Sequence, residues 1–285
     1  MLLAIGDLLE ELLVRLRADP VRGSDNSVRS ARVRGGSAAN VAALDAEMGG
    51  TPRFVGQCGD DAIGHVLVED LRGRGVETDV LHRGATGMVV TTVGQGVRTR
   101  LVDRGASRGP ASLHHVDLAE VSQIYLAAAA FTEEPLASAV ETLLAAARDW
   151  KLPVVVGGPS SADLEALGAD EFLELVRTLQ PDAVVLNREE HHALGSSRRE
   201  PLPGAALTIV TAGPRPTLAL EPSGASESIP VPPVARVRDR TGAGDGFLAG
   251  FLASRRAGAD AVPACHAGHR TAARVLEHLG PTTQG

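Results

Sequence analysis

Arg238-Asp239-Arg240-Thr241-Gly242-Ala243-Gly244-Asp245-Gly246-Phe247 is a turn of small residues that closes on a carboxylate and runs into a helix. Phe247, Leu248, Phe251 and Leu252 fall on one helical face, Arg255 and Arg256 occupy the last turn, and Gly258 supplies a stop. The spacing therefore predicts that Gly242, Ala243 and Gly244 lie at a helix N-terminus. Side chains no larger than a methyl leave backbone N–H groups open there, where the helix dipole is positive, and the combination suits an anion. Asp245 then stands beside an anion hole. A carboxylate within reach of a hydroxyl and a bound phosphate can take the hydroxyl proton as the oxygen attacks phosphorus. The same residues also read as a tight loop with an N-capping Asp.

Upstream of this turn, strand-like and helix-like runs alternate: Leu2 to Ile5, a helix from Ser37 to Met48, Arg53 to Val55, and a helix from Asp61 to Leu71. Gln123 to Leu126, a helix around Glu134 to Arg148, Val154 to Val156, a helix around Asp163 to Leu179, Ala183 to Leu186 and Leu207 to Val210 continue the pattern. Fully apolar strands between amphipathic helices predict an α/β fold with a mostly parallel sheet covered on both faces. Ligands of such sheets bind beyond the carboxyl ends of the strands, where Asp7, Asn187, Thr211 and Gly213 stand. Val28 to Arg34 and Met88 to Val102 break the pattern and read as antiparallel β structure, the second with a hairpin signal at Gly94-Gln95-Gly96. They predict a small lid, at about residues 12–34 and 86–103, within a single domain over residues 1–285. A lid excludes water that would compete with a hydroxyl for a phosphoryl group.

Aromatic residues make up 2% of the chain and the net charge is −7, which argues against nucleic-acid recognition by stacking. Cys58 and Cys265 have no paired spacing and read as small buried hydrophobes in a reducing compartment. Asp7, Glu10 and Glu11 interrupt the apolar start, and no run is long enough to span a bilayer, so the expected location is the cytoplasm. The one lysine, Lys151, lies in neither a Gly-x-x-x-x-Gly-Lys loop nor a protein-kinase strand context, which excludes both classes. The pairs His114-His115 and His191-His192 are helix neighbours about 100° apart and read as solvated histidines, not metal ligands. Arg15, Arg17, Arg22, Arg29, Arg32 and Arg34 read as solvated surface. A sharper expectation is that Arg32, Arg34, Arg98, Arg100 or Arg104, near the lid, meets an acidic or phosphorylated substrate.

Gly35-Gly36-Ser37-Ala38-Ala39-Asn40 opens the first strong helix. Its glycines permit close backbone approach, and Asn40 supplies the donor and acceptor that a polyol needs; the alternative is a Ser37 cap with Asn40 on the surface. Gly56-Gln57-Cys58-Gly59-Asp60-Asp61-Ala62-Ile63-Gly64 reads as a turn plus a capping Asp.

These four elements, GGSAAN, GQCGDDAIG followed by LRGRGVET, NREE and DRTGAGDGF, occur in the order and at about the spacing of the ribokinase/PfkB family of carbohydrate kinases, which the chain resembles over almost its whole length. The resemblance implies a ribokinase-like fold, a Rossmann-like parallel sheet with a β lid, ATP as phosphoryl donor, Mg²⁺, and activation by K⁺ in many members. It implies Asp245 as base with Gly242, Ala243 and Gly244 as anion hole, and Asn187 and Glu190 organising Mg²⁺ through water. Thr211 and Gly213 match the nucleotide turn, and Asp239 with Thr241 match the border of the K⁺ site. Asp7, Glu11, Gly35, Gly36 and Asn40 match sugar contacts, with Arg98 and Arg104 added from the lid.

Four departures stand out. Glu11 occupies the place of a usual Asp, Arg240 that of a usual Thr, the nucleotide turn carries Pro214 and Pro216, and the C-terminal helix lacks the adenine-side pattern. The expected activity is ATP-dependent phosphorylation of a hydroxyl, primary by preference, on a sugar-like molecule. A nucleoside kinase of adenosine or pseudouridine type, stacking a base on Phe54, Phe131 or Phe247, is the alternative, and a non-catalytic sugar or nucleotide sensor is a second. The exposed edges of the lid suggest a homodimer.

Overall fold

Leu2-Leu3-Ala4-Ile5 is buried along its whole length, as a strand covered on both faces should be. The structure, a computed structural model, describes residues 1–94, 97–110, 113–197 and 199–284. In chain order its elements are β1 (Leu2–Ile5), β2 (Leu9–Leu16), β3 (Val28–Gly35), α1 (Ser37–Glu47), β4 (Pro52–Cys58), α2 (Ala62–Gly73), β5 (Glu77–His82), β6 (Thr86–Gly94), β7 (Val97–Gly105) and β8 (Gln123–Leu126). There follow α3 (Leu136–Asp149), β9 (Val154–Gly157), α4 (Ser161–Leu167), α5 (Ala169–Leu179), β10 (Ala183–Asn187), α6 (Arg188–Ala193), β11 (Thr208–Ala212), β12 (Arg215–Leu220), β13 (Ser226–Ile229), α7 (Ala243–Arg256) and α8 (Ala261–Leu276).

A nine-stranded sheet runs β13-β12-β11-β10-β9-β8-β1-β4-β5. It is parallel from β5 to β11, and β12 and β13 add an antiparallel edge. One face buries α1, α2, α7 and α8, the other α3 and α5, in two separate apolar clusters. Phe247, Ala249, Phe251 and Leu252 of α7 are all buried in the first cluster. At about 1.5–3 kcal/mol for each large side chain, this face holds the helix against the sheet and fixes where its first turn points. The second sheet, β3-β2-β6-β7, is the lid.

Three readings of the sequence need correction. The helix expected from Asp163 to Leu179 is two helices, because Gly168 at φ 94° ends α4 and starts α5. Arg34 is not solvated: it is buried and bonded to Asp70, to the Pro281 carbonyl and to Asn40. His191 is buried as well, its Nε2 against the Glu200 carbonyl at 2.9 Å. Of the expected hairpin tip, Gln95 and Gly96 lie outside the described residues. Cys58 and Cys265 are free and buried. Asp61 caps α2 through the Gly64 amide at 2.8 Å. Among the described residues no helix is long and apolar enough to cross a membrane.

Candidate active site

The carboxyl ends of β1, β8, β9, β10 and β11 open into a cleft of about 340 Å³, roofed by β7 of the lid and bordered by the start of α7. Gly242, in the left-handed region at φ 79°, caps α7, and a Cβ there would lie 2.5 Å from Pro281. The Ala243 amide turns back to the Arg240 carbonyl, while among the described residues the Gly242, Gly244 and Asp245 amides have no hydrogen-bond partner at the positive end of the helix. Of the three residues that the sequence suggests for the anion hole, Gly242 and Gly244 have such open amides, Ala243 does not, and Asp245 adds its own.

Both oxygens of Asp245 are held. Oδ1 accepts from the Ser37 hydroxyl at 2.7 Å and Oδ2 from Asn40 Nδ2 at 2.8 Å. Ser37 has one proton to donate, and it goes to Asp245. The 2.8 Å contact between the Ser37 and Tyr125 hydroxyls must then run from Tyr125 to Ser37, making a directed donor chain that ends on the carboxylate. Tyr125 is fully buried, and it fits because Gly157 has no side chain; a Cβ there would lie 2.6 Å from the phenolic oxygen. On the other side Arg34 Nε donates to Asn40 Oδ1 at 3.1 Å, which turns the amide NH₂ toward Asp245. Burial pushes the Asp245 carboxyl above its ordinary pKa, while Ser37 and Asn40 pull it back. Burial also raises the Tyr125 phenol, so it remains a donor.

At the lid end, Arg104 bridges Asp7 and Asp163, and Arg98 meets Glu11 at 3.3 Å. Glu11 also accepts from the Thr91 hydroxyl at 2.6 Å. Burial pushes Asp7 up to about 6, with Arg104 opposing. Gly36, at φ 95°, lets the chain cross Asp7; a Cβ there would sit 2.0 Å from the Asp7 carbonyl oxygen.

At the nucleotide end, Asn187 and Glu190 form a capping box at the start of α6, each side chain bonded to the other's backbone N–H at 2.8–2.9 Å. Burial pushes Glu190 up to about 7, and Asp163, Glu189 and Asp245 add to the rise. A carboxylate and an amide oxygen, with the negative charges of Asp163 and Asp245 near them, are oxygen donors that suit Mg²⁺. Asp239 Oδ2 accepts from the Gly280 amide at 3.0 Å, and Oδ1 from the Arg240 amide at 2.8 Å and Thr241 at 3.3 Å.

Of the residues singled out from sequence, Asp7, Glu11, Gly36, Asn40, Arg98, Arg104, Asn187, Glu190, Thr211, Thr241, Gly242, Gly244 and Asp245 line this one cleft. Gly35, Gly213, Asp239 and Ala243 do not. Asn40 is buried, not a surface residue, and Ser37 bonds Asp245 instead of capping α1. Phe54 and Phe131 are core residues, and Phe247 alone of the three reaches the cleft. Sequence reasoning missed Tyr125 and Asp163. The first was legible as the single tyrosine, in a buried strand where its hydroxyl needs a partner. The second stood in the capping box Ser160-Ser161-Ala162-Asp163.

A model of the pfkB family carbohydrate kinases matches residues 10–284. The chain belongs to this family. It is thus a carbohydrate kinase by family, a phosphotransferase. The Arabidopsis thaliana protein named Probable fructokinase-7 is 28% identical to this pfkB-family kinase over 252 residues, 77% of this chain and 69% of that protein. The adenosine kinase of Sinorhizobium meliloti superposes with a TM-score of 0.85 at 22% identity, covering 98% of this chain and 94% of that one. An E. coli protein described as ribokinase II, in complex with ATP and Mg²⁺, gives a TM-score of 0.81 at 19% identity, covering 98% and 94%. At these identities the two structures establish the fold, including the lid sheet.

Proposed function

We propose that this pfkB-family kinase transfers the γ-phosphoryl group of ATP to a primary hydroxyl of a sugar or sugar-like acceptor. The observation that carries the reading is Asp245, fixed by Ser37 and Asn40 beside the Gly244 and Asp245 amides, which have no partner among the described residues. In the reaction the acceptor oxygen bonds to the γ-phosphorus, the bond from that phosphorus to its β–γ bridging oxygen breaks, the hydroxyl proton passes to Asp245, and ADP leaves. The amides of residues 244 and 245 and the adjacent Arg240 guanidinium stabilise charge on the transferring group. Asn187 and Glu190 would hold Mg²⁺, directly or through water, and the ion neutralises phosphate charge when bound. Thr211 borders the nucleotide. Asp7, Glu11, Gly36, Asn40, Arg98 and Arg104 shape the acceptor end beneath the lid.

A polyol suits this cleft better than a nucleoside. The cleft is lined by carboxylates and arginines, and of its two rings Tyr125 is fully buried and used for hydrogen bonding while Phe247 is buried against Phe251 and His269, so neither offers an open face to a base. A non-catalytic sensor would not need a base with both oxygens fixed. The test is ADP release with a panel of sugars and nucleosides, with and without K⁺. Wild type should turn over at least one sugar, and Asp245→Asn should lose about 10³-fold or more in kcat while keeping its melting temperature. Wild-type-like turnover by Asp245→Asn refutes the assignment.

A further inference from the structure

Six ionisable side chains crowd the acceptor end of the cleft, Asp7, Glu11 and Asp163 with Arg98, Arg100 and Arg104. Five of them satisfy one another, Arg104 with Asp7 and Asp163, and Arg98 with Glu11. Arg100 stands apart: among the described residues its side chain makes no hydrogen bond or ion pair, although it lines the same cleft. Strand alternation explains its direction. Residues 98, 100, 102 and 104 share the cleft face of β7, while Leu101 is exposed on the other. The residue opposite Arg100 on β6 is Thr91, whose hydroxyl is already committed to Glu11. The Arg100 charge lowers the carboxyl pKa of both Asp7 and Asp245, so the guanidinium lies within electrostatic reach of the acceptor end and of the base.

A guanidinium carries five N–H donors and no acceptor. A sugar hydroxyl meets one donor and leaves the charge unbalanced, whereas a carboxylate or phosphate takes two donors in parallel and neutralises it. Arg240, the other cleft arginine whose side chain has no partner among the described residues, sits beside the Gly242 turn, where on the kinase reading the nucleotide phosphates would provide its counter-charge. Arg100 stands on β7 of the lid, not on that turn. We propose that the acceptor carries an anionic group, a carboxylate or a phosphate, and that Arg100 receives it; this rests on the kinase reading of the cleft.

The test is ADP release with ATP and Mg²⁺ on two matched pairs that each keep a primary hydroxyl, glucose against gluconate and fructose against fructose 6-phosphate. The expected result is a kcat/KM at least about thirtyfold higher for the anionic member of one pair, the pair itself separating a carboxylate from a phosphate preference. Arg100→Met should bring that ratio to within a few-fold of one, chiefly by raising KM for the anionic acceptor, and Arg100→Lys should restore part of it. Arg100→Gln gives the same reading if the apolar variant folds poorly. Ratios near or below one in both pairs, or a ratio that Arg100→Met leaves unchanged, overturn the proposal. Turnover of neutral sugars that Asp245→Asn abolishes would leave the kinase reading intact while this inference falls. No ADP release with any acceptor would remove both.

Discussion

Ser37→Ala removes one of the two donors that hold the Asp245 carboxylate. Its Oδ1 accepts from Ser37 at 2.7 Å, a hydrogen bond to an ionised group worth about 1.5–3 kcal/mol. At 1.36 kcal/mol per pKa unit, its loss should raise the Asp245 pKa by about one to two units. The sign follows from the site: burial already raises this carboxyl, Ser37 and Asn40 lower it, and removing either lets burial gain ground. A base must be ionised to act, so the acidic limb of the kcat/KM profile should move to higher pH by that amount. Tyr125→Phe acts one bond further away. It removes only the strengthening that Tyr125 gives to the Ser37 donor, about 10–30% of one bond, or roughly 0.1–0.6 unit in the same direction. The other charges facing Asp245 are Arg100 on β7, Glu11 on β2 and Glu190 on α6, and neither substitution changes them. The assay is a pH series of kcat/KM for wild type and both variants. An acidic limb that stays put or moves to lower pH in Ser37→Ala, or a larger shift in Tyr125→Phe than in Ser37→Ala, would refute the donor chain.

Gly157→Ala should cost about 1–3 kcal/mol, because its Cβ would lie 2.6 Å from the Tyr125 hydroxyl oxygen. Adding Tyr125→Phe should recover most of that in urea melts, since the next ring atoms lie at 3.4 Å; an additive double variant would sink this account. Buried His269, held near pKa 4 by burial, is neutral in the folded chain, and its Nδ1 has no partner among the described residues. Its unfolded form takes up a proton below about pH 6.5 that the native form refuses until about pH 4. Stability is therefore full above pH 6.5 and falls as pH drops through that window, by about 2 kcal/mol between pH 7 and 5. His269→Gln should flatten that part of the urea-midpoint profile, and an unchanged acid slope would count against it.

The parallel sheet was legible because strands such as Leu2–Ile5 and Val154–Gly157 are short apolar runs with no polar face, and such runs need a cover on both sides. The α7 turn was legible because small residues followed by a 3.6-residue apolar repeat leave few other conformations. The antiparallel edge strands β12 and β13 were not, since Ser226–Ile229 is mostly exposed and has no periodic apolar signal. The break at Gly168 was missed because a single glycine inside an amphipathic pattern is tolerated, and only packing shows that the chain turns there.

Local chemistry alone marked Asp245 after its small-residue turn, and Asp7 and Asn187 at strand ends, as candidates for the proposed phosphoryl-transfer site; Glu190 came from the family resemblance. What their atoms touch was decided in three dimensions. Ser37 and Tyr125 are 88 residues apart, Ser37 and Asp245 are 208, and Arg104 reaches Asp7 across 97. Hydrogen bonds and ion pairs of a few ångströms depend on which strand lies beside which, and no periodicity in the sequence records that. The same holds for the lid arginines, which are alike as letters; only the cleft separates Arg98 and Arg104, matched to carboxylates, from Arg100, which has no such match among the described residues.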